Sequence, residues 1–241
     1  MQQLGEKISP SLVVLESLSY LDLSKNNFSG STIPSFFSSV PSLRYLNLSH
    51  SLFEGLLPHQ LGNLSSLRVL DLSSNSLYGH IPSSISNLPP LSYLDLGFNL
   101  ITGQIPDGLG QLKHHESLYL SANLLHGLIP ASVGNLSSLR LFSLSANKLN
   151  GTFPNSMGLL SNLEELYVGT NSLAGIVSEA SFAKLSKLKI YTCSNFLFFN
   201  MNSNWVPPFQ LHILKMSSSN MGPRFPLWLR TQTSLNYLDI S

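Results

Sequence analysis

An α/β repeat fold is predicted from three observations in this 241-residue sequence. The expected form is a curved right-handed solenoid, with parallel strands on its concave face and short helices or 3-10 turns on its convex face. First, a Leu-x-x-Leu-x-Leu block recurs, opening at Leu18, Leu43, Leu67, Leu91, His115, Leu139, Leu163, Leu188, Leu211 and Leu235. The openings are 23 to 25 residues apart, which is the beat of a stacked array of about 9–10 units. Second, other columns keep that beat. An Asn column runs through Asn26, Asn75, Asn99, Asn123, Asn147, Asn171 and Asn195, with Ser51 and Ser219 as substitutes. A Gly column runs from Gly30 to Gly175 and a Pro column from Pro34 to Pro154. Third, within each block apolar residues alternate with open ones, as Leu70 and Leu72 do with Val69, Asp71 and Ser73. Alternation with a period of two marks a strand with one buried face.

The remaining columns follow from turn chemistry. Asn75 stands where the chain leaves the strand, and an inward amide both donates and accepts, so it can satisfy backbone groups of its own and the next coil. Gly79 permits a positive φ. Pro82 fixes φ, lacks a donor and ends the extended stretch. Ile85 and Leu88, three residues apart, fit one helical turn on the outer face. A single unit of this size cannot bury its apolar side chains alone, so the units must stack. The chain reads as one solenoid over 1–241, with a partial first repeat at 1–17, an irregular coil at 178–210 and a truncated last repeat at 235–241. In the irregular coil the Leu and Asn columns disagree by one residue, and Val177-Ser178 replaces the usual Ile-Pro.

Composition narrows the function classes. Charged residues make up 10% and the net charge is +1, so no basic field is available for nucleic acid or an anionic membrane surface. The single cysteine, Cys193, excludes an internal disulfide and fits a small buried hydrophobe. The start Met1-Gln2-Gln3-Leu4-Gly5 lacks the apolar stretch of a secretion signal, and no run of 18 apolar residues exists to span a membrane. His114-His115 lacks further ligands at metal spacing, so it reads as a defect in the Leu column. No Ser-His-Asp setting and no phosphate-binding glycine loop is present. No catalytic, cofactor-binding or metal-ligating set is read here, and the chain is expected to be a binding scaffold and not an enzyme.

The binding candidates are the open strand positions of the concave wall. Tyr20, Tyr45, Tyr93, Phe98, Tyr119, Leu141 and Tyr167 are potential anchors for a protein or peptide ligand. Asp22, Asn47, Val69, Asp71, Asp95 and Glu165 share the wall with them, and the Asp column is better explained as strand consensus. Five N-glycosylation sequons begin at Asn27, Asn47, Asn63, Asn135 and Asn150. Asn63 and Asn135 fall on the outer side, where a glycan fits. Asn47 faces the concave wall, where a glycan would obstruct binding.

The unit Leu-x-x-Leu-x-Leu-Ser-x-Asn-x-Leu-x-Gly-x-Ile-Pro, seen at Leu67–Pro82, Leu91–Pro106 and Leu118–Pro130, resembles the plant-specific extracellular leucine-rich repeat. Three further segments sharpen the resemblance: Lys7-Ile8-Ser9-Pro10-Ser11-Leu12, Asn204-Trp205-Val206-Pro207-Pro208-Phe209-Gln210-Leu211 and Gly222-Pro223-Arg224-Phe225-Pro226-Leu227-Trp228-Leu229. Together they are similar to plant leucine-rich-repeat receptor-like proteins, in particular the group that includes fungal xylanase receptors of plant immunity. The resemblance implies a segment of an ectodomain at the extracellular face of the plasma membrane. It implies defence signalling through a partner receptor kinase, since such proteins carry no kinase of their own. Two alternatives stand beside it. One is the ectodomain of a receptor-like kinase in growth signalling, and the other a secreted inhibitor of cell-wall-degrading enzymes. The sequence lacks the family's cysteine-paired caps, signal peptide and membrane span, so it is expected to be a fragment.

Overall fold

A computed structural model describes residues 7–194, 196–217 and 225–241. Among them, ten short strands form one parallel sheet in strict chain order, from Tyr20–Asp22 through Tyr45–Asn47, Val69–Asp71, Tyr93–Asp95, Ser117–Tyr119, Leu141–Ser143, Glu165–Tyr167, Ile190–Ser194 and Ile213–Ser217 to Tyr237–Asp239. The register advances by one repeat per strand, so Tyr45 faces Val69 and Val69 faces Tyr93. This is a direct consequence of the block spacing: equal units place equal residues side by side. In the second to fourth strands the middle Leu46, Leu70 and Leu94 are buried and their neighbours half-buried.

A second parallel sheet, which the sequence reading did not foresee, flanks the first. Its seven strands run from Glu54–Leu56 and Ser76–His80 through Leu100–Gly103, Leu124–Gly127, Lys148–Gly151 and Ser172–Val177 to Phe196–Phe199. The Gly column lies inside these strands. Gly79 and Gly103 have φ of 78° and 83°. The left-handed glycine is tolerated within Glu54–Leu56, Ser76–His80 and Ser172–Val177 and closes Leu100–Gly103, Leu124–Gly127 and Lys148–Gly151.

The convex side carries 3-10 turns, each introduced in the middle repeats by the proline of the Pro column. Pro34, Pro58, Pro82, Pro106, Pro130 and Pro154 stand in extended conformation before Ser35–Ser39, His59–Asn63, Ser83–Asn87, Asp107–Gln111, Ala131–Asn135 and Asn155–Leu159. Adjacent turns pack closely because glycines face the next coil. A Cβ on Gly134 would lie 2.5 Å from the Ser156 carbonyl oxygen, and one on Gly110 would lie 2.3 Å from that of Ser132. Backbone atoms cannot swing aside as a side chain can. Gly134→Ala is therefore expected to cost about 2 kcal/mol of stability by overpacking. Urea unfolding followed by circular dichroism checks this.

One continuous apolar core runs the length of the coil, from Phe28 to Leu229. Its filling changes near the irregular segment. Phe182, Tyr191, Phe199, Trp205, Phe209 and Trp228 gather there, with Trp205 and Trp228 rings 5.8 Å apart and edge-on. Large rings replace the leucines of the regular units, and Cys193 is buried beside them.

Candidate functional site

The Asn column ties the coils together behind the concave sheet. Asn99 Nδ2 donates to the Leu96 and Gly97 carbonyls of its own coil and to the Leu72 carbonyl of the preceding one, and its Oδ1 accepts from the Leu77 N–H. Asn75, Asn123, Asn147 and Asn171 repeat the pattern. The amide thus serves its own coil and the preceding coil; the expectation that it reaches the next coil is corrected. The reason is the direction of the turn, which aims each amide back over the coil already laid down. Asn26 bonds within its coil, to the Leu23 and Ser24 carbonyls. Ser51 stands in the column and does most of the same work: its hydroxyl donates to the Leu23 carbonyl and accepts from the Asn26 N–H. Asn195 and Ser219 lie outside the described residues.

In front of that frame stands the open wall. Two columns of side chains cross it. One runs Tyr20, Tyr45, Val69, Tyr93, Ser117, Leu141 and Glu165, and the other Asp22, Asn47, Asp71, Asp95, Tyr119, Ser143 and Tyr167. The Tyr20 and Tyr45 rings stack with centroids 4.2 Å apart, and Tyr93 and Tyr119 lie 5.5 Å apart at a tilt of 48°. Tyr167 donates to Glu165 Oε2 at 2.6 Å. Leu141 is half-buried among these polar neighbours. Phe98 is placed differently from the others. It lies beyond the strand Tyr93–Asp95, in a turn at φ 56°, and is 67% exposed. Phe98 therefore lies between the concave strand Tyr93–Asp95 and the flank strand Leu100–Gly103, outside both.

Over the first seven strands the charged strand positions of the wall are carboxylates, and Lys215 stands in the same column farther along. Asp71 and Asp95 are register partners on adjacent strands. Asp71 Oδ1 accepts from the Ser73 N–H and hydroxyl, and Asp95 Oδ1 from the Gly97 N–H at 2.8 Å. Burial, reinforced by the Asp71 charge, pushes the Asp95 carboxyl up to about 6 against the opposing Gly97 hydrogen bond. The Tyr93, Tyr119 and Tyr167 hydroxyls are raised as well, first by burial and then by neighbouring carboxylates.

A rim of longer charged side chains edges the wall, at the position after the block-opening residue. Arg140 Nη2 and Lys189 Nζ both reach Glu164, at 2.7 Å and 2.6 Å, and hold its carboxyl below the usual range. This row was not singled out in the sequence, although its fixed offset from each Leu would have revealed it. His115, one of the adjacent histidines, is buried in the Leu column. Its Nδ1 lies 3.0 Å from the Leu91 carbonyl, and its Nε2 has no hydrogen-bond partner. Desolvation lowers its ring to about 4, so it is neutral. Among the described residues no group of three or more His, Cys, Asp or Glu could hold a metal ion.

The sequon residues fall on different faces. Asn63 and Asn135 are exposed at the ends of convex 3-10 turns, and Asn150 is exposed on the flank sheet. Asn27 and Asn47 are half-buried, and Asn47 Oδ1 accepts from the Ser49 N–H on the concave side.

Comparison with known proteins agrees with this geometry. A family model described as a leucine-rich repeat region matches residues 2–123, and a second, described as leucine rich repeat, matches residues 116–173. Receptor-like protein EIX1 of Solanum lycopersicum is 56% identical over 75 residues, which are 31% of this chain and 7% of that protein. Receptor-like protein EIX2 of the same plant is 47% identical over 66 residues, 27% of this chain and 6% of that protein. The matches thus span less than a tenth of those relatives' lengths. Among solved structures, the Arabidopsis receptor kinase HAESA, in complex with the peptide hormone IDA and the co-receptor SERK1, superposes with a TM-score of 0.90 at 35% identity, over 97% of this chain and 39% of that one. With the repeat columns, the two parallel sheets and a family model over half of its length, the chain belongs to the leucine-rich repeat family.

Proposed function

We propose that this chain is the ligand-recognition part of a plant receptor-like protein's ectodomain, and that its concave sheet takes a protein or peptide ligand. The observation that carries the reading is the wall itself: ten aligned strands set Tyr20, Tyr45, Tyr93, Tyr119 and Tyr167 on one face, and among the described residues no other element is packed over them. Aromatic side chains on a rigid frame are the residues that most often anchor interfaces. The identity to receptor-like proteins supports a receptor that has no kinase of its own and acts through a partner receptor kinase at the outer face of the plasma membrane. The HAESA complex supports peptide recognition by this fold; it equally fits a receptor kinase ectodomain, but its identity, 35%, is lower than the 56% shared locally with EIX1. As a scaffold for recognition the chain performs no chemistry and uses no cofactor. Asn63, Asn135 and Asn150 are the proposed glycan carriers, since glycans there leave the wall open.

The test is capture. The chain, immobilised through its C-terminus, is exposed to culture filtrates of plant-associated fungi, and retained proteins and peptides are identified by mass spectrometry. The expected result is a ligand whose retention falls at least tenfold with Tyr93→Ala/Tyr119→Ala and is unchanged by Gln111→Ala on the convex side. Retention that ignores the tyrosines but depends on Gln111 would sink the proposal.

A further inference from the structure

We infer that a groove on the edge of the coil, across the fifth to ninth repeats, binds a uronic-acid oligosaccharide, with Arg140, Lys187 and Lys189 holding its carboxylates. The site lies apart from the concave strands and does not rest on their reading as a ligand surface.

Two clefts, of about 350 and 370 Å³, adjoin where the chain returns from the convex turns to the concave strands. They share Glu164 and Lys187, so they form one groove, from Glu116 in the fifth repeat to His212 in the ninth. At the spacing of parallel strands this is about 19 Å long, room for several sugar rings in a row. Three cations line it against two carboxylates. Glu164 is already compensated, by Arg140 Nη2 at 2.7 Å and Lys189 Nζ at 2.6 Å. Lys187 Nζ donates to the neutral Asn162 Oδ1 at 2.8 Å and, among the described residues, has no carboxylate partner. Asn162 is itself fixed, since its Nδ2 donates to the Ser137 carbonyl at 2.8 Å. The cationic heads therefore stand in set positions before a ligand arrives, which lowers the entropy lost on binding. A ligand carboxylate supplies the charge that Lys187 lacks.

The rest of the lining selects a hydroxyl-rich ligand over a peptide. Ser138, Ser186, Gln210 and His212 offer hydroxyl, amide and imidazole groups to sugar hydroxyls. Glu116, at one end, accepts from such hydroxyls and repels a densely charged polyphosphate. A peptide would seek free backbone groups or an apolar anchor pocket. The backbone here is taken: the Arg140, Glu164 and Lys189 carbonyls each accept two N–H bonds from the next coil. Of the apolar residues in the lining, Leu188, Pro207 and Phe209 are buried, and Pro208 alone is exposed. A single proline ring suits the C–H face of a sugar.

Fluorescence anisotropy with tetragalacturonate labelled at its reducing end, at low ionic strength, tests the groove on the 241-residue chain. The expected result is saturable binding. Binding should be at least fivefold weaker for the fully methyl-esterified tetrasaccharide, which keeps the sugars and loses the charge, and for a labelled tetraglutamate peptide. Lys187→Gln/Lys189→Gln, which leaves Arg140 to pair with Glu164, is expected to weaken tetragalacturonate binding at least fivefold. Lys148→Gln on the flank sheet and Tyr93→Ala/Tyr119→Ala on the wall are expected to leave it unchanged. Thermal melts confirm that each variant is folded. The inference is overturned if tetragalacturonate does not bind, if its ester binds alike, or if the double lysine variant binds as the wild type does. Equal loss with Lys148→Gln would mean diffuse charge attraction, and loss with the tyrosine variant would move the saccharide to the wall; either overturns the groove. Tetraglutamate binding as tightly as the saccharide would overturn the saccharide assignment. Each of these failures leaves the concave-wall capture result untouched.

Discussion

Asn99→Ala is expected to lower the stability of the coil by about 2–4 kcal/mol, because it strips a buried backbone N–H of its acceptor and leaves a small void. The Leu77 N–H loses Asn99 Oδ1, its partner at 3.0 Å, in a position that water cannot reach. The Leu72 carbonyl is less affected, since it also accepts from Asn75. That shared carbonyl makes a sharper forecast. Asn75→Ala/Asn99→Ala removes both of its donors, so the double variant should cost more than the sum of the singles, by about 1 kcal/mol. Asn99→Ser should cost less than Asn99→Ala, because Ser51 shows that a hydroxyl can fill the column. Urea titrations of the four variants measure all three statements. Additive losses, or a serine no better than alanine, would mean that the ladder bonds do not carry the stacking.

The second large effect is acid sensitivity centred on His115. Its folded ring titrates at about 4, against an ordinary value near 6.5. The unfolded chain therefore takes up the proton first as pH falls. The stability from keeping this ring neutral is complete above pH 6.5 and is lost between 6.5 and about 4, amounting to about 3 kcal/mol. Asp95 acts with the opposite sign: its folded carboxyl is raised to about 6, so the folded state gains relative stability as pH falls from 6 toward the unfolded value. Comparing wild type with His115→Leu cancels the Asp95 contribution. His115→Leu restores the apolar column and removes the unpartnered Nε2, so it should stabilise by about 1 kcal/mol at pH 7 and by about 4 kcal/mol at pH 4. Melting temperatures of both proteins across that range check it. A gap that does not widen on acidification would contradict a neutral buried ring.

The periodic part of this structure was legible in the sequence because each column answers a local need. A Leu every second residue buries one face, a Pro opens the 3-10 turn, and a polar amide serves backbone groups at the bend. What escaped were features decided between coils. The flank sheet was hidden because Gly79 and its counterparts read as turn residues, yet parallel neighbours let a left-handed glycine stay in a strand. The amide's reach to the preceding coil depends on stacking direction, which no single repeat encodes. Phe98 was counted among the open strand positions, although the chain leaves the strand before it and turns at its own φ of 56°. On the wall itself the candidate tyrosines could be placed by column, and Asp71 and Asp95 looked like strand consensus. Their shared register emerges only when the coils are set side by side.

The claim that recognition belongs to the concave sheet is tested most directly by site-specific photocross-linking. Benzoylphenylalanine is placed singly at Tyr119 on the wall, at Tyr78 on the flank sheet and at Gln111 on the convex side, and each chain is irradiated with the ligand captured from the filtrates. The account predicts a covalent adduct at position 119 and none at 78 or 111. An adduct at 78 or 111, with none at 119, would contradict it.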